Sequence, residues 1–422
     1  MSGRRSRIVS GLAPAFRLVA LTSIATLFGP LVPPAHLAAQ ERSRDRAIAA
    51  SDRTALIERC RRAAEYSEAN DGHYVLVMVD GEVVFEQGVG RTTGTTPHLL
   101  ASGTKSFSGV AAALAIDDGL LDLDEKVSDT ITEWKQDPKK RDVTVRQLLS
   151  LAAGLESLKE KLDMPRNRQA AGITDCVAAS LAARSVAEPG ERFIYGPSSF
   201  YVFGELLKRK LAAAGHADET VATYLERKLF EPLDIKAHFL VDQAENPNLP
   251  GGGLMSARDW AVFGEMMRHG GEHEGRRLIS EKSLNELTRA HGPNDRYGLT
   301  WWLLSPSGGR GSFDADGDGA GITGRGAGGT GPAAQGSGDD RRAAARRRIA
   351  EALRERVRQA GEARMDDTTT SPVPGFMAAG MGKQRLYVLP EAKMTIVRFG
   401  ELNGSQTFSD REFLSTILDE GE

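Results

Sequence analysis

Ser102 and Lys105 stand three positions apart in Ser102-Gly103-Thr104-Lys105, the only Ser-x-x-Lys tetrapeptide in the sequence. On a helix that spacing brings the lysine amine onto the face that carries the serine hydroxyl. A serine hydroxyl is a weak nucleophile until a neighbouring base takes its proton, and a lysine serves when burial or another cation lowers its pKa to about 7–8. The pair therefore reads as a nucleophile and its proton acceptor for acyl transfer. Tyr195 lies in the turn-rich run Pro189-Gly190-Glu191-Arg192-Phe193-Ile194-Tyr195-Gly196-Pro197-Ser198. A phenol there can relay a proton between serine, lysine and leaving group; a tyrosine ahead of a helix also commonly just packs at a lobe boundary. Ala378-Ala379-Gly380-Met381-Gly382 reads as a small-residue turn directly before a strand. Small residues let a substrate approach the backbone, whose N–H groups stabilise an oxyanion.

The elements around these residues follow from periodicity. Residues 73–79 and 83–89, joined by Asp80-Gly81, give a hairpin signal. A helix is expected over about 54–66. A second starts near Ser102, runs through Phe107, Val110, Ala111 and Leu114 at helical spacing, and stops at Asp118-Gly119. From 120 to 304 the pattern is mainly helices and loops, with helices at 145–151, 174–183, 201–213, 220–229 and 257–267. Strand-like runs return only near the end, at 384–389 and 394–399, before a helical pattern through Phe413, Leu414, Ile417 and Leu418. Strands at both ends with helices between predict an α+β fold. An antiparallel sheet completed by the C-terminal segment is flanked by helices, a helical lobe is inserted in it, and the site lies in the cleft between.

A chain of 422 residues, 40% hydrophobic, can bury a large core, and its net charge of −3 gives no global pull toward nucleic acid. Arg4, Arg5 and Arg7 precede an apolar stretch over 18–32 that ends in Leu37-Ala38-Ala39. That is the pattern of a signal peptide over 1–39, and it predicts an exported, periplasmic or secreted protein. Cys60 and Cys176 can pair in an oxidising compartment or stay two separate small apolar residues, and spacing does not choose between these. With no Cys-x-x-Cys and with scattered histidines, no metal site is expected.

Residues 305–371 break the pattern. The first half is dominated by Gly, Asp, Ser and Ala, too polar to offset its ordering entropy, and disorder is expected there. The Arg- and Ala-rich continuation carries Ile349, Leu353 and Val357 four apart, as in an amphipathic helix. It offers a basic surface for anionic lipid or cell-wall polymer, although a solvated helix within an insertion is the preferred reading. The hydrolase domain is thus expected over 40–304 and 372–422.

In order and spacing, Ser102-Gly103-Thr104-Lys105, Tyr195 and Ala378-Ala379-Gly380 resemble the active-site motifs of the penicillin-recognising serine hydrolases. That family includes class C β-lactamases, D-Ala-D-Ala carboxypeptidases, related esterases and 6-aminohexanoate-dimer hydrolases. The stretches 144–155, 188–207, 249–263 with Gly251-Gly252-Gly253, 297–302 and 380–390 look like its landmarks. The resemblance implies a β-lactamase/transpeptidase-like fold, no cofactor and a small-molecule substrate. It makes Ser102 the acylated nucleophile, Lys105 the base, Tyr195 a second acid/base, and the N–H groups of Ser102 and Met381 the oxyanion hole.

Two departures narrow the substrate. Where the family has Tyr-x-Asn this chain has Tyr195-Gly196-Pro197, leaving Ser198 as a partial stand-in for the missing amide. Where the family has Lys-Thr-Gly or His-Thr-Gly it has Ala378-Ala379-Gly380, which removes the cation and hydroxyl that engage a substrate carboxylate. Neutral esters or amides fit better, and Ala-x-Gly looks more like the esterase and dimer-hydrolase branch. The rivals are a non-catalytic descendant that binds cell-wall or peptide ligands, and a true β-lactamase or D-Ala-D-Ala carboxypeptidase.

Overall fold

The computed structural model describes residues 35–163, 165–305, 371–403 and 407–418, with side chains from Asp52 onward except those of 165 and 166. Residues 1–34 of the signal peptide expected over 1–39, and residues 306–370 of the insertion expected over 305–371, where an Arg-rich helix is predicted, lie outside the described residues. The chain divides into two units, 1–53 and 54–422. Of the first, residues from 35 onward are described, as the start of the helix Ala35–Ala69. The second holds everything below.

Strands β1 (Gly72–Val79) and β2 (Glu82–Gly88) form the expected hairpin. Asp80 and Gly81 sit at φ 49° and 84°, as a two-residue turn matched to the strand twist requires. Strands β3 (His98–Leu99), β4 (Ala237–Phe239) and β5 (Gly253–Met255) make a small separate sheet, and β6 (Glu272–His273) and β7 (Arg276–Arg277) a short ribbon. With β8 (Trp302–Leu304), β9 (Gly375–Gly380), β10 (Gln384–Leu389) and β11 (Met394–Gly400), the hairpin completes a six-stranded antiparallel sheet in the order β2-β1-β11-β10-β9-β8. The C-terminal strands lie beside β1, and that is how the chain's two ends come to share one sheet.

Helices cover both faces of this sheet, so its central strands read as continuous apolar runs. Val75, Leu76, Val77 and Met78 are all buried, as are all seven residues of β11. On one face the helix Ala257–Arg268 approaches so closely that a methyl group on Gly264 would meet the Leu386 side chain at 2.7 Å. On the other, Asp410 of the helix Asp410–Leu418 bonds Arg385, the neighbour of Leu386 on β10. The helix Ser106–Asp117 is apolar on every side and buried from Ser106 to Ala115, a central core helix rather than a surface one.

Three expectations need correction. The middle of the chain is not free of strands: β4, β5 and β8 are three-residue strands, too short to show a period of two. Ala378-Ala379-Gly380 is not a turn ahead of a strand but the end of β9, laddered to β10 with Gly380 opposite Gln384; the turn is Met381–Lys383. The single helix expected over 220–229 is a capped helix Val221–Leu225 that widens into a π turn, Glu226–Phe230. Cys60 and Cys176 are both buried free thiols. Cys60 is in the main core and Cys176 in a satellite cluster with Leu162 and Tyr201. Burial pushes the Cys60 thiol up to about 11, despite the opposing charge of Arg59 and a backbone hydrogen bond, and so keeps it protonated.

Candidate active site

Ser102 sits in the 3₁₀ turn Ala101–Lys105 that leads into the core helix. The turn is tightly tied. The Leu100 N–H donates to Gly253 O at 2.9 Å, and the Gly103 N–H donates back to Leu100 O at 3.0 Å. Thr104 Oγ1 donates to Ala101 O at 2.7 Å and accepts the Gly253 N–H at 3.0 Å, while Ser106 Oγ donates to Gly103 O at 2.8 Å. Ala101, the residue before Ser102, is held at φ 47°, a left-handed conformation that an alanine keeps only where its surroundings impose it. The surrounding turn is buried, whereas Ser102 itself is partly exposed.

Lys105 is 3% exposed, and its Nζ donates to Ser102 Oγ at 2.9 Å and to the Pro250 carbonyl at 2.6 Å. It also lies 4.9 Å from the centre of the Tyr195 ring and 5.4 Å from that of Phe200. Hydroxyl, amine and phenol ring thus meet in one place. Sequence reasoning missed the Pro250 carbonyl because a backbone acceptor leaves no side-chain signature; the only hint was its place just ahead of Gly251-Gly252-Gly253. It missed Phe200 because an aromatic residue on a buried helix looks like core.

Tyr195 is partly exposed and clamped from behind. Ser157 Oγ donates to its carbonyl at 2.9 Å, and Ile194 N–H donates to Leu151 O at 2.8 Å. Its ring packs 5.9 Å from Trp302 and 6.3 Å from Phe193. Trp301 and Trp302 are buried in and beside β8, so packing rather than pocket lining accounts for most of their surface. Tyr297, 5.0 Å from Trp302, is a second phenol close by. Burial, reinforced by Tyr195, pushes its hydroxyl well above the usual tyrosine range.

The end of β9 closes the arrangement. A methyl group on Gly380 would fall 2.1 Å from Leu100 O and 3.1 Å from Gly103 N, so the backbone ahead of Met381 lies directly against the Ser102 turn. Side chains alternate along a strand, so Ala378 shares this face with Gly380, and at 2% exposed it is part of the core. Met381 follows at the start of the turn with its side chain exposed. Ser198 does not join the group. It is buried, and its hydroxyl donates to the carbonyls of Glu156 and Ser157 at 2.7 Å each, so it ties helix Ser198–Ala213 to that loop and cannot replace the absent amide.

Known proteins resemble this chain in sequence and in fold. Protein flp of Staphylococcus aureus (strain MW2) is 23% identical over 175 residues, which cover 39% of this chain and 34% of that protein. The chain therefore spans about a third of the length of the curated relatives it matches. Among solved structures, a Bacillus anthracis protein named as a 6-aminohexanoate-dimer hydrolase superposes with a TM-score of 0.57 at 18% identity, over 84% of this chain and 78% of that one. EstCE1, a hydrolase with promiscuous acyltransferase activity, superposes with a TM-score of 0.58 at 16% identity, over 87% and 98%. These likenesses establish the β-lactamase/transpeptidase fold, here shared with hydrolytic enzymes. The family model described as Beta-lactamase matches residues 57–354, well over half of the sequence, and the chain belongs to the beta-lactamase family.

Proposed function

We propose that this protein is an exported serine hydrolase that cleaves neutral esters or amides through an acyl-Ser102 intermediate. The observation that carries this reading is the 2.9 Å contact between Lys105 Nζ and the Oγ of the partly exposed Ser102, with the Tyr195 ring against the same amine. Proton transfer uses the amine form of Lys105, in which that contact runs from the serine hydroxyl to the nitrogen lone pair. Ser102 Oγ then bonds to the substrate carbonyl carbon while its proton passes to Lys105. The N–H groups of Ser102 and Met381 receive the negative charge on the carbonyl oxygen. As the intermediate collapses, the alcohol or amine leaves with a proton delivered through Tyr195. A water molecule, deprotonated by the same pair, attacks the acyl carbon and releases the acid with Ser102 restored.

The substrate class follows from what the walls lack. Ala378 brings no cation to the site, and the Ser198 hydroxyl is already committed, so a carboxylate or acyl-amide group on the substrate finds neither expected partner. This favours neutral substrates over penicillins and D-Ala-D-Ala peptides. Export rests on the basic and apolar leader in the first 39 residues.

A fluorophosphonate probe tests the reading. Covalent labelling of the wild type that vanishes in Ser102→Ala and in Lys105→Met is the expected result. A well-folded wild type that takes no label and hydrolyses no p-nitrophenyl ester or short amide points instead to a ligand-binding relative without catalysis. Turnover of nitrocefin at an ordinary enzymatic rate identifies a true β-lactamase.

A further inference from the structure

Arg385 and Arg398 are cross-strand partners on β10 and β11, and both are buried, at 4% and 1% exposure. Two guanidinium groups side by side in a core are costly, and one carboxylate, Asp410, answers them directly. It accepts from Arg385 Nε at 2.6 Å and Nη2 at 3.1 Å, and from the Tyr387 hydroxyl at 2.5 Å. Among the described residues, every hydrogen bond of Arg398 ends on a neutral oxygen: Ser67 Oγ at 2.9 Å, Ser67 O at 3.5 Å, Asn70 O at 2.7 Å, and two turn carbonyls. Its Cζ lies 4.0 Å from the centre of the Phe408 ring. Sheet stability alone does not call for such an arrangement, since apolar residues of similar volume fill a core as well or better.

What the pair holds is the turn between β9 and β10. Arg385 Nη1 donates to the carbonyls of Gly380 and Gln384, both at 3.1 Å. Arg398 Nη1 donates to those of Gly382 at 3.2 Å and Lys383 at 2.9 Å. The first of these contacts matters most. The Gly380 carbonyl and the Met381 N–H belong to one planar trans peptide, so fixing the carbonyl toward Arg385 fixes the N–H in the opposite direction. The α-carbon of Gly380 is itself pressed against the Leu100 carbonyl of the Ser102 turn.

We propose that Arg385 and Arg398 are positioning residues for acyl transfer: from the far face of the sheet they clamp the 380–384 turn so that the Met381 N–H is pre-aimed at the oxyanion forming on Ser102. The inference rests on the reaction proposed above. Asp410 orients Arg385, and Ser67 and Asn70 at the end of the helix Ala35–Ala69 orient Arg398. Segments remote from the nucleophile thereby set the geometry of the oxyanion hole.

The test uses the full chain. Removing Arg385 alone leaves the buried Asp410 carboxylate with only the Lys383 amine, at 3.8 Å, as a cationic partner and risks unfolding, so the informative variant is the double substitution Arg385→Met with Asp410→Asn. With p-nitrophenyl butyrate, kcat is expected to fall about ten- to hundredfold while KM stays within about threefold, because the loss appears only as the oxyanion forms. Amide hydrogen exchange in peptides covering 380–384 is expected to accelerate at least about tenfold, with the core helix Ser106–Asp117 unchanged. A rate loss that only tracks the loss of folded protein, or unchanged exchange in the turn of a folded variant, overturns the proposal. Should the wild type hydrolyse no ester, the reaction itself fails, whereas the exchange measurement still decides whether the arginines hold the turn.

Discussion

Gly380 and Leu100 touch backbone to backbone: a methyl group on the Gly380 α-carbon would lie 2.1 Å from the Leu100 carbonyl oxygen. With Gly380 at φ −129°, glycine is needed here for space and not for conformational freedom. Leu100 O accepts the Gly103 N–H and leads into the strained Ala101, so neither backbone can retreat without moving Ser102. Gly380→Ala is therefore expected to lower kcat/KM by at least about a hundredfold. It should also cost about 1–3 kcal/mol of stability, as overpacking does. Ester kinetics with a denaturant melt check both, and wild-type rates in the alanine variant would mean that the two segments separate freely.

Tyr195 and Tyr297 offer a matched pair of phenols, one over Lys105 and one in the core. Tyr195→Phe keeps the ring that packs on Trp302 and Phe193, and it removes only the hydroxyl. A fall in kcat of about 10²- to 10⁴-fold is expected, the range for a lost acid/base group, with melting nearly unchanged. Tyr297→Phe is expected to leave the rate within about threefold, because its side chain is 1% exposed and closed to substrate and water. Equal effects of the two substitutions would remove Tyr195 from the mechanism.

How much of this was legible from sequence depended on how local each feature is. The β1–β2 hairpin showed in its apolar runs and Asp80-Gly81, and Ser102 with Lys105 showed because one turn of chain brings them together. The Pro250 carbonyl, 145 positions from Lys105, is a backbone group delivered by the fold and has no residue type to betray it. Nothing in the sequence marks Arg385 and Arg398, since only the register of β10 on β11 and the packing of Asp410 make them buried neighbours. Ser198 was misread for the complementary reason: a hydroxyl near a site in sequence is as easily consumed by nearby carbonyls, here those of Glu156 and Ser157.

The Asp410 carboxylate makes stability depend on pH. Burial by itself raises its carboxyl, but the charges of Arg385 and Lys383 and the hydrogen bonds from Arg385 and Tyr387 outweigh that and hold it below the usual aspartate range. An unfolded aspartate titrates near about 3.9, so the folded state releases this proton more readily than the unfolded one. Its contribution is present in full above that value and is lost as pH falls through the lower folded value. Melting temperatures are expected to drop steeply below about pH 4 in the wild type. Asp410→Asn should be less stable at pH 7, by about 3 kcal/mol as for a broken buried pair, and should show a flatter acid limb. The same acid slope in both proteins would assign acid unfolding to other carboxylates.

An alanine at 378, where the family motif has a cation, predicts discrimination between two esters that differ by one charge. p-Nitrophenyl butyrate and mono-p-nitrophenyl glutarate present the same reacting carbonyl, and the second adds a carboxylate at the far end of the acyl chain. A site that offers a cation to that group gains about 1.5–3 kcal/mol from one charged hydrogen bond. Here Ala378 is a buried methyl group and the adjacent Ala379 faces the opposite side of β9, so the carboxylate would surrender its hydration for no partner. The neutral ester is expected to have the higher kcat/KM by at least about tenfold, with the difference shrinking little as salt is raised because it reflects desolvation more than long-range repulsion. A preference for the glutarate ester would show that some other cation supplies the missing anchor, and carboxylate-bearing amides would then become the substrates to examine.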